Sequence, residues 1–504
     1  MVFQNDILAG SSGGSSASSV YKIDQSIRFN DDDSAYLKKD YGSDGSQTTF
    51  TLSGWLKLGI LTGTAHSLFA TGFLNGSAAD FTLYFNGDQL YFYGGYNGGT
   101  PTNRLETTQL FRDHSAWYHI VFVADTTNAV SSERLRLYVN GSRVTAFDTE
   151  TYPSQNDTLV WGDATYSHVI GASGDDMAGS LNSQTPRYHY DGYMAEIVYI
   201  DGTALDPSSF GEYNSSNIWI PKDVSSLSFG ANGFYLKGES ASDLGNDSSS
   251  NNNDFTTSGL ASHDQVPDSP TNVFSTYNPL ANPRSGALSQ GSLRFVHASG
   301  QKQGCFSTIG MNSGKWYIEC YCESLNNGYL QLGIQDFAYH NNENRGIGDT
   351  QLSPAYDYAY FGFNGNKLVN GTSSSYGNTF ATDDVIGVAI DLDNNYIYFA
   401  KNNTWQNSGD PTSGASGTGG ISVTTPSSTA SGFYLFGTGV GTGSSGYNPT
   451  TIINFGQDST FVGENVNAND YSNYVGASDG NSVGSFFYTP PSGYLALCTK
   501  NLGS

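Results

Sequence analysis

Basic residues are scarce in this chain, and charged residues of both signs are few. Its 504 residues include 21 Lys and Arg against 46 Asp and Glu, which gives a formal net charge of −25 at pH 7. A field of that sign repels phosphate backbones and anionic lipid headgroups. The balance predicts a protein that binds no nucleic acid and no membrane surface. It favours solubility, with cation binding as the alternative.

Cysteine is almost absent. The four cysteines, Cys305, Cys320, Cys322 and Cys498, all lie in the C-terminal half, so the N-terminal half folds without a disulfide. Cys320 and Cys322 are two positions apart on one predicted strand, roughly 6.7 Å between Cα atoms, close to the upper limit for a bridge. We predict buried free thiols, because a lone Cys-x-Cys without further ligands does not make a zinc site.

Long apolar runs are also missing. No stretch of about 18 apolar residues is present to span a membrane, and the first residues lack the basic and apolar regions of a signal peptide. Sustained apolar spacing of three and four residues is absent too, so we expect few and short helices. An extracellular-style composition without an export signal needs another route out of the cell. A phage particle, assembled in the host cytoplasm and released by lysis, is one such route.

What the chain has in abundance is turn chemistry and aromatic side chains. It contains 61 Gly, 34 Tyr and 29 Phe. Aromatic residues suit half-buried strands, and clusters of Gly, Asn and Asp suit the turns between them. Composition and length together predict an all-β protein of roughly two to four domains, built as sandwiches or barrels.

Strand-like alternation predicts a first sandwich at 21–222. After the alternating segment Arg134–Val139, Asn140 and Gly141 supply the two positive-φ positions of a tight hairpin turn. Trp117–Val123 is almost continuously apolar, which indicates a central strand of the sheet.

A second alternating block predicts another sandwich at 288–457. Its strand Trp316–Glu323 places Cys320 and Cys322 inward and Glu319 and Glu323 outward.

Three further segments complete the predicted organisation. Prolines and a polar run indicate a linker at 223–287, in which Phe234–Leu236 could add an edge strand to the first sandwich. The end of the chain, 458–504, is apolar enough to pack on the sandwiches as a tail. Residues 1–20 combine a short apolar patch with a Gly/Ser tract and are expected to act as an anchor peptide.

Ordered motifs in the two blocks resemble two known domain types. The first block is similar to a laminin-G/concanavalin A-like module in Phe50–Leu56, Trp117–Phe122, Leu137–Gly141 and Tyr190–Val198. The second resembles a SPRY module in Lys315–Glu319, Leu332–Ile334, Asp384–Val388, Asp391–Asp393 and Tyr398–Asn402. The resemblances imply two concanavalin A-like antiparallel β-sandwiches of the jelly-roll type in tandem, with a short N-terminal anchor peptide.

Three flanking segments resemble marine and cyanobacterial phage structural proteins: Phe3–Gly10, Ile23–Asp31 and Tyr488–Cys498. This resemblance implies a non-enzymatic protein on the virion surface, a tail fibre, spike or capsid decoration that presents lectin-like domains for host attachment. Its partners would be other virion proteins and further copies of the chain, as a trimer in a fibre. The contact with the particle is expected at four apolar residues: Val2, Phe3, Ile7 and Leu8. The alternative is a carbohydrate-binding adhesin that acts directly in receptor recognition.

A polysaccharide depolymerase is the weaker alternative. A glycoside hydrolase needs two carboxylates that flank the scissile bond, and Glu319 and Glu323 have a suitable spacing on one strand. Tyr321, however, occupies the position where laminarinase-like enzymes carry an Asp that tunes the pair. The sequence predicts no Gly-x-Ser-x-Gly elbow on a strand-to-helix turn, and His119 is expected at a surface or rim. We predict no enzymatic activity and no required cofactor.

Binding residues are expected where exposed aromatic faces lie beside amide or carboxylate groups, an arrangement that suits sugars. The candidates for a host-surface glycan are Tyr91, Tyr93, Tyr96, Asn97, Trp161, Asp163, Tyr339, His340 and Asn341. Sandwich packing or hairpin decoration is the alternative for each of them. Ca²⁺ prefers about six to eight oxygen ligands, and Asp175 and Asp176 in a Gly-rich loop are its candidate ligands. A turn with exposed acids is the alternative there.

Overall fold

The computed structural model describes residues 21–59, 65–72, 80–97, 100–173, 186–281, 286–300, 302–325, 328–339, 347, 356–441, 447–464 and 476–502. These residues contain no α-helix, and their strand ladders are antiparallel. They form two compact units that divide between Asn272 and Val273. The predicted all-β class, with antiparallel sandwiches in tandem, is confirmed.

The first unit is built from short strands with polar turns. They are β1 (Ser26–Phe29), β2 (Tyr36–Lys39), β3 (Thr49–Leu58), β4 (Ala65–Gly72), β5 (Asp80–Asn86), β6 (Gln89–Asn97), β7 (Thr100–Leu110), β8 (Trp117–Asp125), β9 (Leu135–Val139), β10 (Ser142–Arg143), β11 (Phe147–Thr151), β12 (His168–Ile170), β13 (Gly192–Asp201), β14 (Gly211–Tyr213), β15 (Trp219–Pro221), β16 (Phe234–Leu236), β17 (Thr256–Ser258) and β18 (Gln265–Val266).

Two sheets of the first unit face each other. Sheet I has the order β10-β9-β8-β3-β13-β1-β18, with β16 joined to β13, and sheet II has the order β11-β7-β6-β5-β4-β12-β2-β17. The Phe122 ring of sheet I lies 5.3 Å from Phe81 and 4.7 Å from Phe92 of sheet II. Strand β8 lies between β9 and β3, which confirms the prediction of a central strand. Asn140 and Gly141 have φ values of 48° and 77°, as the predicted hairpin turn requires.

The segment after β13 covers the outer face of sheet I. Val121 and Val198, which point away from the sandwich core, form a second buried cluster with Phe210, Val224 and Tyr235. Strand β16 pairs with β13, as proposed for an edge strand, and β17 pairs with β2.

The expected linker 223–287 therefore differs from the structure, which assigns its residues up to Asn272 to the first unit. Proline and asparagine are typical of linkers, but here the polar side chains bind the backbone of compact turns. Asp247, for example, accepts hydrogen bonds from the N–H groups of Tyr235 and Ser249.

The second unit repeats the design with a different strand order. Its strands are β19 (Ala287–Ser289), β20 (Arg294–Val296), β21 (Gln303–Phe306), β22 (Lys315–Ser324), β23 (Gln331–Asp336), β24 (Asp357–Phe361), β25 (Asn366–Val369), β26 (Thr372–Ser375), β27 (Val385–Asp391), β28 (Tyr396–Lys401), β29 (Thr404–Trp405), β30 (Ile421–Ser422), β31 (Tyr434–Val440) and β32 (Thr450–Asn454).

Sheets III and IV form the second sandwich. Sheet III has the order β19-β20-β32-β22-β27-β28-β29, with β30 joined to β28, and sheet IV has the order β21-β31-β23-β24-β25-β26. Tyr360 of sheet IV packs on Phe399 of sheet III, with ring centroids 5.4 Å apart. All four cysteines are free and buried, which confirms the prediction made for them.

The described part of the C-terminal tail packs on the outer face of sheet III. Phe486 lies 5.2 Å from the Tyr317 ring, and Phe461 stacks on Tyr321 at 5.6 Å. This cover changes the environment of Glu319. Strand alternation does turn its side chain away from the sandwich core, as expected, but the tail encloses it completely and it is 0% exposed.

Helical structure in the described residues is limited to single 3₁₀ turns. They are Ser131–Glu133, Pro207–Ser209, Ser262–Asp264, Pro279–Ala281, Phe337–Tyr339, Gln406–Ser408, Gly414–Ser416 and Pro426–Ser428. No helix of the described residues has the length and apolar character needed to cross a membrane.

Candidate glycan-binding face

Five residues on the outer side of sheet II form the face that we call the tyrosine face: Tyr84, Tyr91, Tyr93, Arg104 and Glu106. They lie on β5, β6 and β7. Since side chains of a strand alternate between its two sides, the residues between them point into the core. Those core residues include Leu83, Phe92 and Leu105.

Strand register brings these side chains together. Tyr84 is paired with Tyr91, and Tyr91 is paired in turn with Glu106 on the next strand. Tyr93 is paired with Arg104. Directly paired residues on one side of a sheet lie close enough for their side chains to touch, so two adjacent rows of the sheet converge on one patch.

The tyrosine rings enclose an angular corner and do not form a flat platform. Tyr91 and Tyr93 have centroids 5.9 Å apart and planes inclined at 73°. Tyr84 lies behind both rings, 5.4 Å from Tyr91 and 5.3 Å from Tyr93, and is itself buried. Tyr91 and Tyr93 are only half-buried, so parts of their rings remain open to solvent.

Polar groups hold the rings in place. The Tyr93 hydroxyl donates a 2.8 Å hydrogen bond to Glu106, and the Tyr91 hydroxyl donates one of 3.2 Å to the Gln89 side chain. Arg104 forms an ion pair with Glu106, and its guanidinium carbon lies 4.9 Å from the centre of the Tyr93 ring. These contacts restrict the tyrosine rotamers before any ligand arrives.

The protonation states of the face follow from its surroundings. Burial raises the pKa of Tyr91 and Tyr93, and the Glu106 carboxylate raises both further, so the two phenols are neutral at pH 7. Partial burial alone would lower the pKa of Arg104, but the hydrogen bond with Glu106 and the charges of Glu106 and the neighbouring tyrosines together outweigh it and raise the pKa overall. The face thus combines neutral ring surfaces with one fixed cation.

Such an arrangement is chemically suited to binding a sugar. The open ring surfaces can pack against the C–H groups of a pyranose, and the neighbouring carboxylate and amide oxygens can accept hydrogen bonds from its hydroxyl groups. The two ring planes, inclined at 73°, form a corner that a sugar ring could enter.

Of the predicted glycan residues, Tyr91 and Tyr93 lie together on this face. Tyr96 and Asn97 lie further along the same strand, where their backbones pair with Pro101 and Thr100, and their side chains lie outside the described residues.

Trp161 does not fit the prediction of a glycan residue. Its side chain is 0% exposed and lies in the core, with its ring centroid 6.0 Å from Phe69 and 5.3 Å from Phe81. Because the ring fills space between the two sheets, it presents no face to a ligand. Its neighbour Asp163 is partly exposed and accepts a hydrogen bond from the Thr165 N–H in a turn.

The remaining predicted sites lie wholly or largely outside the described residues. Tyr339 closes the 3₁₀ turn Phe337–Tyr339, and nothing is described of its side chain. The positions that fall outside are His340, Asn341, Asp175, Asp176 and the anchor residues Val2, Phe3, Ile7 and Leu8. Within the described ranges, no three His, Cys, Asp or Glu side chains are grouped to hold a metal ion.

The Glu319 and Glu323 carboxylates have separate structural roles. Glu319 accepts hydrogen bonds of 2.8 Å from the backbone N–H groups of Phe487 and Tyr488 in the tail. Burial raises its pKa to about 7, against the lowering effect of these hydrogen bonds. Glu323 forms two 2.7 Å hydrogen bonds with Arg294. A substrate cannot lie between these two groups while the tail covers Glu319.

His119 is buried, contrary to the expectation of a surface position. Its ring lies between Trp55 and Trp219, with centroids 4.7 Å and 5.9 Å away. The Trp219 indole N–H donates to Nδ1 at 3.1 Å, so the proton of the neutral ring is on Nε2, which lies 2.9 Å from the Ser53 hydroxyl. A ring that donates to Ser53 is no base for it. Burial lowers the pKa of His119 to about 3, which keeps the ring neutral.

A second aromatic group in the second unit has no counterpart in the sequence prediction. Tyr329 lies 4.1 Å from Tyr447 and 4.5 Å from Phe363, whose side chain is 50% exposed. The only sequence signal was an aromatic residue beside a Gly-Asn turn, which is common in this chain.

Comparison with known families identifies two domain types. Residues 29–185 match the Laminin_G_3 model of the concanavalin A-like lectin/glucanases superfamily, and residues 315–421 match the SPRY domain model. The chain therefore contains a concanavalin A-like domain and a SPRY domain.

Similar proteins share only segments with this chain. An ATP-dependent RNA helicase DDX1 of Xenopus laevis is 33% identical over 101 residues, which are 20% of this chain and 12% of the helicase. A Ran-binding proteins 9/10 homolog of Drosophila melanogaster is 30% identical over 149 residues, 27% of this chain and 15% of that protein. The crystal structure of the human HERC1 SPRY domain has 19% identity and a TM-score of 0.26, covering 35% of this chain and 96% of that domain.

Proposed function

We infer that this chain, with its concanavalin A-like domain and its SPRY domain, is a non-enzymatic binding protein that recognises a glycan through the tyrosine face. The observation that carries the proposal is the corner between Tyr91 and Tyr93, whose half-exposed rings are inclined at 73°. Their hydroxyls donate hydrogen bonds to the Glu106 carboxylate and the Gln89 side-chain amide. Rings that are already held by hydrogen bonds lose little side-chain entropy when a ligand binds. This lowers the free-energy cost of binding a sugar, a ligand that makes few strong contacts.

Replacing the central ring tests this function. With Tyr91→Ala we expect at least about a tenfold loss of affinity for any glycan that the full chain binds on a glycan array, because a central aromatic contact disappears. Tyr213→Ala is the matched control, since Tyr213 is an exposed tyrosine of the same unit away from the face. Equal binding by Tyr91→Ala and the unchanged protein would show that the tyrosine face is not the site.

The biological setting that we propose is the surface of a phage particle. Here the chain serves as a tail fibre, spike or capsid decoration, joined to other virion proteins through the peptide 1–20 and assembled as a homo-oligomer. The support is the resemblance of the flanking segments, such as Tyr488–Cys498, to phage structural proteins. A carbohydrate-binding adhesin that acts directly on the receptor is the alternative setting.

Deletion of residues 1–20 separates the anchoring role from glycan recognition. We expect the truncated chain to be lost from purified particles while its binding to a glycan array is unchanged, because the deletion removes no residue of the tyrosine face. Truncated protein that still loads onto particles would rule out the anchor. In the same preparations, release of oligosaccharides from host surface material would favour a depolymerase, and we expect none.

A further inference from the structure

An irregularity in edge strand β11 adds a carboxylate to the tyrosine face. The pairing of β11 with β7 shifts by one residue between Phe147 and Thr149, so that Asp148 is the extra residue of a β-bulge. Thr149 is paired with Glu106, and the exposed Asp148 directly precedes Thr149 on this edge strand. Bulges commonly re-aim a side chain beside a site.

Asp148 is directed towards the tyrosine rings. Its carboxylate accepts a 2.7 Å hydrogen bond from the side-chain NH₂ group of Gln89. The side-chain oxygen of the same glutamine accepts the hydrogen bond from the Tyr91 hydroxyl. The charge of Asp148 acts on Tyr91 together with those of Glu106 and Arg104. Asp148 thus forms one border of the corner in which a ligand ring would lie.

The charges around this corner do not balance. Arg104, the cation whose charge acts on Tyr91, is already paired with Glu106 and lies against the Tyr93 ring. Among the described residues Asp148 forms no ion pair. An anionic sugar entering the corner would therefore meet an uncompensated carboxylate, whereas a neutral sugar would meet a hydrogen-bond acceptor.

We propose that Asp148 makes the tyrosine face selective for uncharged sugars. The Asp148 carboxylate accepts a hydrogen bond from a hydroxyl group of a neutral pyranose, and it repels the carboxylate or sulfate group of an acidic sugar. This inference rests on the proposed glycan-binding function and names the class of ligand.

Matched pairs of sugars test the selectivity in the full chain. The probes are immobilised gluco-, galacto- and manno-disaccharides, each beside the form in which C6 is oxidised to a carboxylate. We expect binding of at least one neutral disaccharide and about tenfold weaker binding of its uronate partner. Asp148→Asn keeps an oxygen for Gln89 but removes the charge, and it should reduce the discrimination about threefold or more.

Two controls separate the local charge from the global one. Asp206→Asn removes the same charge from an exposed loop after β13 and should leave the discrimination unchanged. Asp148→Glu keeps the charge and should retain the discrimination. Equal or tighter binding of uronates, or discrimination that Asp148→Asn leaves intact, would overturn the role of Asp148 while Tyr91-dependent binding stands. If the unchanged protein binds none of the glycans, the proposed function is overturned, and this inference with it.

Discussion

Gly141 shows how one residue can serve both a turn and the packing of a neighbouring ring. It has φ of 77°, a value that residues with a side chain rarely adopt, and an added Cβ would lie 2.5 Å from the Trp219 ring. That ring stacks on buried His119 and donates a hydrogen bond to it, so it has little freedom to move away.

Gly141→Ala should therefore destabilise the first unit more than a positive φ alone explains. We expect the strain of a left-handed alanine, roughly 1–2 kcal/mol, with a further loss from displacement of Trp219. Gly202→Ala is the control, because Gly202 has φ of 83° and nothing lies within 4 Å of its added Cβ. Denaturant unfolding of both variants measures the difference. Equal losses would mean that Trp219 moves without cost.

At the scale of elements, Glu319 fastens the tail to strand β22. One carboxylate oxygen accepts the N–H of Tyr488 and the Tyr317 hydroxyl, and the other accepts the N–H of Phe487 and the Asn454 amide. Every one of these four partners donates to an oxygen. An isosteric amide in place of the carboxylate therefore turns its NH₂ group towards a backbone N–H in either orientation.

Glu319→Gln should loosen the tail, with a loss of about 1–3 kcal/mol for the backbone donor that it leaves unpaired. Hydrogen exchange at the amides of Phe487 and Tyr488 reports this directly and should become faster. Glu323→Gln on the same strand is the control, since its pair with Arg294 is about a quarter exposed and is worth less than about 1 kcal/mol. Unchanged exchange in Glu319→Gln would show that ring packing alone holds the tail.

Strand sides could be predicted from the sequence, but the covering of those strands could not. Alternation correctly turned Cys320 and Cys322 inward and Glu319 away from the core. It carries no information on whether a later segment lies over the outer face, and for Glu319 the covering residues are more than 150 positions away. His119 was misplaced for the same reason, because Trp219 comes from a distant strand.

The candidate site was only partly predictable for a related reason. Tyr91 and Tyr93 stand out as alternating aromatics on one strand, and the structure places them together. Arg104, Glu106 and Asp148 join them only through strand register and a bulge, which depend on pairing between strands. Trp161 shows the opposite error, since its Gly and Asp neighbours resemble an exposed turn while its ring fills the core.

At the scale of the whole molecule, buried histidines and buried carboxyls give the two units different responses to acid. Burial lowers the pKa of four histidines in the first unit: His66, His114, His119 and His168. Burial also raises the pKa of Glu196 to about 7 and that of Asp31 above its usual value. In the second unit burial lowers the pKa of His297 to about 4 and raises the pKa of Glu319 to about 7.

These shifts act in opposite directions on stability. A histidine with a lowered pKa stabilises the fold above its unfolded pKa of about 6.5, and this contribution is lost as the pH falls towards the folded value. A carboxyl with a raised pKa binds its proton more tightly in the folded state, so its contribution grows as the pH falls from about 7 towards about 4.5. Between about pH 6.5 and 5, His119 and His168 therefore outweigh Glu196 in the first unit, whereas His297 and Glu319 balance in the second.

Acidification should therefore open the first unit before the second. Each uncompensated histidine lowers the free energy of unfolding by roughly 1.4 kcal/mol per pH unit in this window. Hydrogen exchange of the full chain at pH 7 and pH 5, corrected for the intrinsic pH dependence, should show lost protection in β3 and β8 and retained protection in β22 and β27. Histidine ring resonances from the same samples check the cause, since the His119 and His168 rings should stay neutral at pH 5 while the first unit is folded. Earlier opening of β22 and β27 would contradict the prediction and show that these buried groups do not set the order in which the two units open.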